Sequence, residues 1–259
     1  MRWGIVPAAG AGSRIQPLAF SKELLPVGSR WVDGTERPRA VSEYLVERML
    51  RAGVDRLCFV ISPGKSDIVE YYGGSVGAAH ICYVVQERPA GLVDALLRAL
   101  PFIAPQDEVL VGLPDTVWFP VDGFRALGPG LSFLLFPVAH PELFDAVETG
   151  PGGEVRGLQV KVPDPSTRWV WGGFKLTGAI LAEWQALHAA RGGQDVYVGT
   201  LVDAWLAAGG SASGVRAGEA YVDVGTLHGY HEALRLLREQ AVRAGQLDAR
   251  ERAEGEEAR

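Results

Sequence analysis

The stretch Ala8-Ala9-Gly10-Ala11-Gly12-Ser13-Arg14-Ile15-Gln16-Pro17-Leu18-Ala19-Phe20-Ser21-Lys22-Glu23-Leu24-Leu25-Pro26-Val27-Gly28 continues an apolar run that begins at Trp3. A short apolar run that breaks into glycines reads as a strand delivering a loop to the end of an α/β sheet, where phosphates are commonly held. Two well-known phosphate loops do not fit. The Walker spacing G-x-x-x-x-G-K-[ST] is absent, and Ile15 stands where a dinucleotide fingerprint needs a third small residue. What remains is the pattern G-x-G-S-R-x-x-P-x4-K-x3-P-x-G, carried by Gly10, Gly12, Ser13, Arg14, Pro17, Lys22, Pro26 and Gly28. Glycines let backbone N–H groups approach phosphate oxygens, the planar fork of Arg14 suits a phosphate, and Lys22 adds a point charge. The loop is therefore a candidate triphosphate site.

Outward from the loop, apolar runs alternate with amphipathic ones, the pattern of a mostly parallel sheet covered by helices. Strands are expected at Trp3 to Ala8, Leu57 to Ile61, Ile81 to Gln86 and Val109 to Gly112, with helices at Ser42 to Ala52, Lys65 to Tyr72 and Gly91 to Leu100. The last of these strands runs into Leu113-Pro114-Asp115, a carboxylate at a strand end. In the second half, strands are expected at 131–138, 154–162, 170–176 and 220–224, and helices at 180–190, 199–208 and from about Leu227. Residues 29–38 read as a surface loop, with a lid or an oligomer contact as alternatives. One domain over residues 1–238 is expected, followed from residue 239 by a charged tail, helical or disordered.

Composition narrows the function classes. The chain has 259 residues, 47% hydrophobic content and a formal net charge of -6. An acidic balance argues against a nucleic-acid surface, and no apolar run approaches the ~18 residues of a membrane span. The N-terminus lacks the pattern of a signal peptide, and Cys58 and Cys82 lie singly in strand-like runs, so a cytoplasmic protein with reduced thiols is expected. Gly73-Gly74-Ser75-Val76-Gly77 fits G-x-S-x-G, but a charged helix end rather than a strand precedes it. His228 and His231 have no further ligand cluster around them.

The run from Ala8 to Gly28 resembles the signature of the sugar nucleotidyltransferases, the family of glucose-1-phosphate thymidylyltransferase and UTP-glucose-1-phosphate uridylyltransferase. Four further elements resemble that family in the same order: Gln86 to Leu92 its Q-x4-G-L element, Leu113-Pro114-Asp115 its L-P-D element, Lys161 its E-K-P segment, and Asp223 its W-x-D-x-G-T element. The resemblance implies a single Rossmann-like α/β domain with a mostly parallel mixed sheet. It implies attack of a sugar 1-phosphate on the α-phosphate of a nucleoside triphosphate, assisted by Mg2+ on Asp115 and Asp223, with release of pyrophosphate. Arg14 and Lys22 become catalytic, and Ala9, Gly10, Gly12, Ser13, Gln86 and Gly91 nucleotide-binding. Lys161 and Gly173 face the sugar phosphate. The expected substrates are dTTP or UTP and glucose 1-phosphate, and the family implies a homo-oligomer.

The sugar side departs from the family pattern. Val162 separates Lys161 from Pro163, and Val160 occupies the position of a sugar-binding carboxylate. Trp171-Gly172-Gly173 stands for a V-T-G element, and Phe144-Asp145 lies near the place of a Tyr-Gly pair. Two alternatives therefore stay open: a regulatory protein that binds nucleotide sugars without catalysis, and a transferase for a non-sugar phosphorylated acceptor.

Overall fold

The computed structural model describes residues 1–243 and Gly245. Chain order is β1 (Arg2–Ala8), β2 (Pro26–Val32), β3 (Thr35–Ala40), α1 (Ser42–Arg51), β4 (Arg56–Ile61), α2 (Ser66–Tyr72), β5 (Ser75–Val76), β6 (Ala79–Val85), α3 (Gly91–Leu97) and β7 (Glu108–Gly112). It continues with β8 (Thr116–Phe119), β9 (Leu131–Pro137), β10 (Asp145–Thr149), β11 (Val155–Val160), β12 (Trp169–Thr177), α4 (Gly178–Ala190), α5 (Val198–Ala207), β13 (Ala212–Val215), β14 (Ala220–Asp223) and α6 (Leu227–Arg243).

Ten strands form one mixed sheet in the order β11-β10-β12-β7-β1-β4-β6-β5, with β9 on β12 and β13 on β9. The expected parallel core is present: β7, β1, β4 and β6 pair in parallel. The half built from β10, β11 and β12 pairs antiparallel. Side chains alternate along the strands, so each core strand feeds two hydrophobic layers. Ile5, Cys58 and Val60 face α3, α4 and α5, whereas Val6, Leu57, Phe59 and Ile61 face α1 and α2. A third cluster joins Val27, Tyr44, Val117 and Val224 to α6 through Ala233 and Leu237.

Strand β1 lies between β4 and β7: the chain leaving β1 passes through α1 to β4 on one side, and the chain leaving β7 goes on to the half of the sheet on the other side. That switch point is where open α/β sheets leave a crevice. The loop from Ala9 emerges there beside Leu113-Pro114-Asp115, because β1 and β7 run parallel with Ile5 opposite Val111.

One expectation needs correction, and one strand is not among those expected. Residues 29–38 are a hairpin, not a plain loop: β2 pairs antiparallel with β3. Its turn, Asp33-Gly34, has positive φ at both residues (49° and 75°), the backbone that makes Asp-Gly a hairpin turn. The segment after Asp115 is also a strand, β8, which pairs with β14 in a separate two-stranded ribbon. Helix α6 extends beyond Glu239 to Arg243, and the rest of the expected tail, residues 244 and 246–259, lies outside the described residues. Among the described residues no helix is long and apolar enough to cross a membrane.

Candidate active site

The ribbon is what joins the two candidate metal carboxylates. Asp223 sits opposite Thr116 in the β8–β14 register, and the Val224 N–H donates to the Asp115 carbonyl at 2.8 Å. Two residues far apart in sequence thus share one strand end.

Each carboxylate carries a cation from the glycine loop. Lys22 Nζ donates to Asp115 Oδ2 across 93 residues, and Arg14 Nη2 donates to Asp223 Oδ2 at 3.0 Å across 209. Burial by itself would push the Asp115 carboxyl up, but the Lys22 ammonium outweighs it and holds the group below the usual carboxylate range. Burial likewise works against the Lys22 ammonium, and Asp115, Glu23 and Asp223 together raise its pKa above the ordinary lysine value. The stem of Lys22 lies along the loop: a Cβ on Gly12 would fall 2.7 Å from Lys22 Cδ. Gly10, Ser13 and Arg14 are exposed at the rim, and Ala9 is buried beneath them.

The turn that carries Lys22 is anchored from below. Glu23 is 1% exposed, and Lys65 Nζ bonds both of its carboxylate oxygens at 2.7 and 2.8 Å and the Ala8 carbonyl at 2.7 Å. One buried ion pair therefore ties the end of β1, the Lys22 turn and the start of α2 together.

Arg14, Asp115, Lys161 and Asp223 all line one cavity of about 270 Å³. Lys161 adopts φ 48° just after β11, and its N–H donates to Phe144 O at 3.1 Å. Its ammonium lies 4.7 Å from the centre of the Tyr197 ring, a cation–π contact. The pocket thus holds cations and carboxylates at one end and a lysine on an aromatic wall at the other.

Neither Gln86, Gly91 nor Gly173 lines this cavity. The Gln86 amide N–H2 donates to Asp94 Oδ2 at 2.7 Å and to Gly91 O at 3.1 Å, so its carbonyl oxygen is the group left to offer a base. Gly91 has φ +87°, and a Cβ there would fall 2.8 Å from Val196, whose carbonyl accepts from the Leu92 N–H at 3.1 Å. Its glycine character serves that contact. Gly173 lies within the sheet, opposite Gly112 on β7, where a Cβ would fall 2.8 Å from the Phe124 ring.

The cavity is also lined by Asp145, Trp171 and Tyr221, which the sequence places in or beside elements of the family pattern, and by Tyr197, which the sequence does not single out. Trp171 Nε1 donates to Asp145 Oδ2 at 3.4 Å. The Tyr221 ring packs edge-on to Phe144 with centroids 5.7 Å apart. The available signal was the aromatic at position 221, two residues before Asp223 and therefore on the same strand face.

A switch-point crevice, a glycine loop bearing two cations and two strand-end carboxylates define an α/β enzyme that handles phosphates. A family model described as Nucleotidyl transferase matches residues 3–240, and the chain belongs to that family. It is a nucleotidyltransferase. Glucose-1-phosphate thymidylyltransferase of Neisseria meningitidis is 27% identical over 248 residues, covering 91% of this chain and 82% of the relative. The enzyme of the same name from Streptomyces griseus is 28% identical over 171 residues, a stretch covering 63% of this chain and 45% of the relative. The fold matches a UTP-bound UGPase from Acinetobacter baumannii with a TM-score of 0.73 at 17% identity, covering 92% of this chain and 93% of that one.

Proposed function

We propose that a single domain spanning residues 1–238 joins a nucleoside triphosphate, dTTP or UTP, to a sugar 1-phosphate, glucose 1-phosphate in the first instance, and releases pyrophosphate. The observation that carries this reading is the convergence of Arg14, Lys22, Asp115 and Asp223 at one strand end, with Lys161 across the same cavity. Lys161 anchors the attacking phosphate. A phosphate monoester with a second pKa of ~6 is largely dianionic near neutrality and needs no protein base to become nucleophilic.

Arg14 and Lys22 take the triphosphate oxygens and stabilise charge as it moves toward pyrophosphate, electrostatic work that dominates phosphoryl-type transfer. Their present bonds to the carboxylates keep both cations aimed at the crevice. The donor set suits Mg2+: two hard carboxylates on one ribbon, and no group of three or more His, Cys, Asp or Glu among the described residues to form an all-protein cage. When bound there, Mg2+ supplies Lewis-acid neutralisation of the phosphate oxygens. The proposed setting is cytoplasmic, in keeping with two free thiols.

A pyrophosphate-release screen over the four ribonucleoside triphosphates and dTTP, crossed with sugar 1-phosphates and non-sugar phosphate monoesters, tests the reading. Release with dTTP or UTP and a hexose 1-phosphate is expected. Folded protein that releases nothing with any pair sinks it in favour of a non-catalytic binder.

A further inference from the structure

Three carboxylates reach the cavity. Asp115 and Asp223 are ion-paired, whereas Asp145 makes no salt bridge among the described residues. Its protein contacts are the 3.4 Å bond from Trp171 Nε1, long for an N–H donor, and a backbone hydrogen bond from Gly199 near the start of α5. A carboxylate offers about four acceptor sites, and Trp171 and Gly199 supply donors for only part of that capacity. Asp145 is 9% exposed, and burial pushes its carboxyl above the usual range. Asp145 also lines the cavity, where its remaining acceptor capacity is open to a bound group.

Its placement is specific. In the β10–β11 register Asp145 is directly opposite Val160, and directly opposed side chains share a sheet face. Packing confirms it: a Cβ on Gly199 would fall 2.5 Å from Val160 Cγ2 and 3.1 Å from Asp145 Oδ2. The next residue after Val160 is Lys161, whose N–H is bonded to the carbonyl of the residue before Asp145. Carboxylate and ammonium thus rise from neighbouring backbone positions at one end of two strands, and Lys161 Nζ is held over Tyr197 rather than in a salt bridge with Asp145. A molecule whose phosphate meets Lys161 brings the groups next to that phosphate to Asp145.

We propose that Asp145 is the specificity-determining residue of the acceptor half of the cavity, its carboxylate accepting hydrogen bonds from ring hydroxyls of the sugar whose phosphate Lys161 holds. The assignment rests on the nucleotidyl-transfer reading above. It selects polyhydroxylated ring phosphates over hydroxyl-free phosphate monoesters of similar charge, which would leave a buried acceptor unpaired.

The experiment compares wild type, Asp145→Asn and Asp145→Ala with the triphosphate and sugar 1-phosphate that the wild type turns over, and with deoxy analogues lacking one ring hydroxyl at a time. Asp145→Ala is expected to raise the KM for the sugar phosphate about 10- to 100-fold, the range for a hydrogen bond to a charged group, and to leave the KM for the triphosphate unchanged. One deoxy analogue should cost the wild type a comparable factor and cost Asp145→Ala nothing. Asp145→Asn retains an acceptor oxygen and should recover part of the loss. It also carries the comparison if the alanine variant does not fold. Both KM values rising together, or a variant that discriminates among deoxy sugars as the wild type does, overturns the assignment. Turnover with hydroxyl-free monoesters alone overturns the role of Asp145 and leaves nucleotidyl transfer standing. No turnover of any pair by folded wild type overturns the transfer reading itself.

Discussion

Replacing Lys65 with methionine keeps most of the side-chain volume but strips Glu23 of its counter-charge at a site 1% exposed to solvent. Removing one partner of a buried ion pair costs about 3–5 kcal/mol, because the remaining charge is desolvated and uncompensated. At about 2–4 °C per kcal/mol for a chain of this size, Tm should fall by about 6–20 °C. The loss should depend on pH. Burial already lifts the Glu23 carboxyl above its ordinary value of 4.5, with Lys65 as the main opposing influence, and without Lys65 burial acts nearly alone. An acid whose pKa is raised by folding contributes stability that is complete below its unfolded pKa and is lost as pH rises through its folded pKa. The variant's deficit should therefore be small near pH 4.5 and grow as pH rises above it. Adding Glu23→Gln, which removes the charge, should recover more than half of the lost stability. Thermal melts of the three proteins across that range give the answer. A deficit below about 1 kcal/mol, or one that ignores both pH and Glu23→Gln, would refute the view that this pair holds the Lys22 turn in place.

Other substitutions probe the rest of the assembly. Asp115→Asn or Asp223→Asn should lower kcat by about 100-fold or more and raise the Mg2+ concentration needed for half-maximal rate, read from initial rates over a Mg2+ titration. Gly91→Ala sets a Cβ 2.8 Å from Val196 at φ +87° and should cost about 1–3 kcal/mol in urea unfolding. Because Val196 precedes Tyr197, the KM for the acceptor should also rise. Arg48→Met removes the buried donor to Trp118 O, 3.0 Å away, and should lower the urea midpoint, at a cost of about 1–3 kcal/mol of stability for the carbonyl left unsatisfied.

Local periodicity and turn chemistry made the parallel half of the fold legible. Ser42 to Ala52, with Tyr44, Leu45 and Met49 on one side, reads as a helix from spacing alone, and the structure gives Ser42–Arg51. The hairpin at Asp33-Gly34 carried its own signal, but exposed charged strands such as Thr35–Ala40 lack the apolar alternation that marks a buried strand. Strand β8 is a β-branched and aromatic run, Thr116–Phe119, bounded by Asp115 and Pro120, but its pairing with β14 far along the chain is not visible in sequence. The cationic and acidic residues of the nucleotide side could be chosen from motif chemistry, whereas their pairing depends on a long-range register. The sequence places Asp145 near the family's Tyr-Gly pair but is silent on its burial and partners. Its meaning lies in being buried, opposite Val160 and beside Lys161, and none of those relations is visible along the chain.

The β8–β14 ribbon also sets an order of assembly. Residues 1–119 contain the glycine loop, both loop cations, the four-stranded parallel core and one carboxylate, but the second carboxylate arrives only with the strand Ala220–Asp223, packed in place by α6. On a ribosome the two carboxylates can be brought together only once the strand Ala220–Asp223 has been made and has docked on β8. A chain that ends before Ala220 would carry Arg14 and Lys22 but lack Asp223, the carboxylate to which Arg14 is bonded.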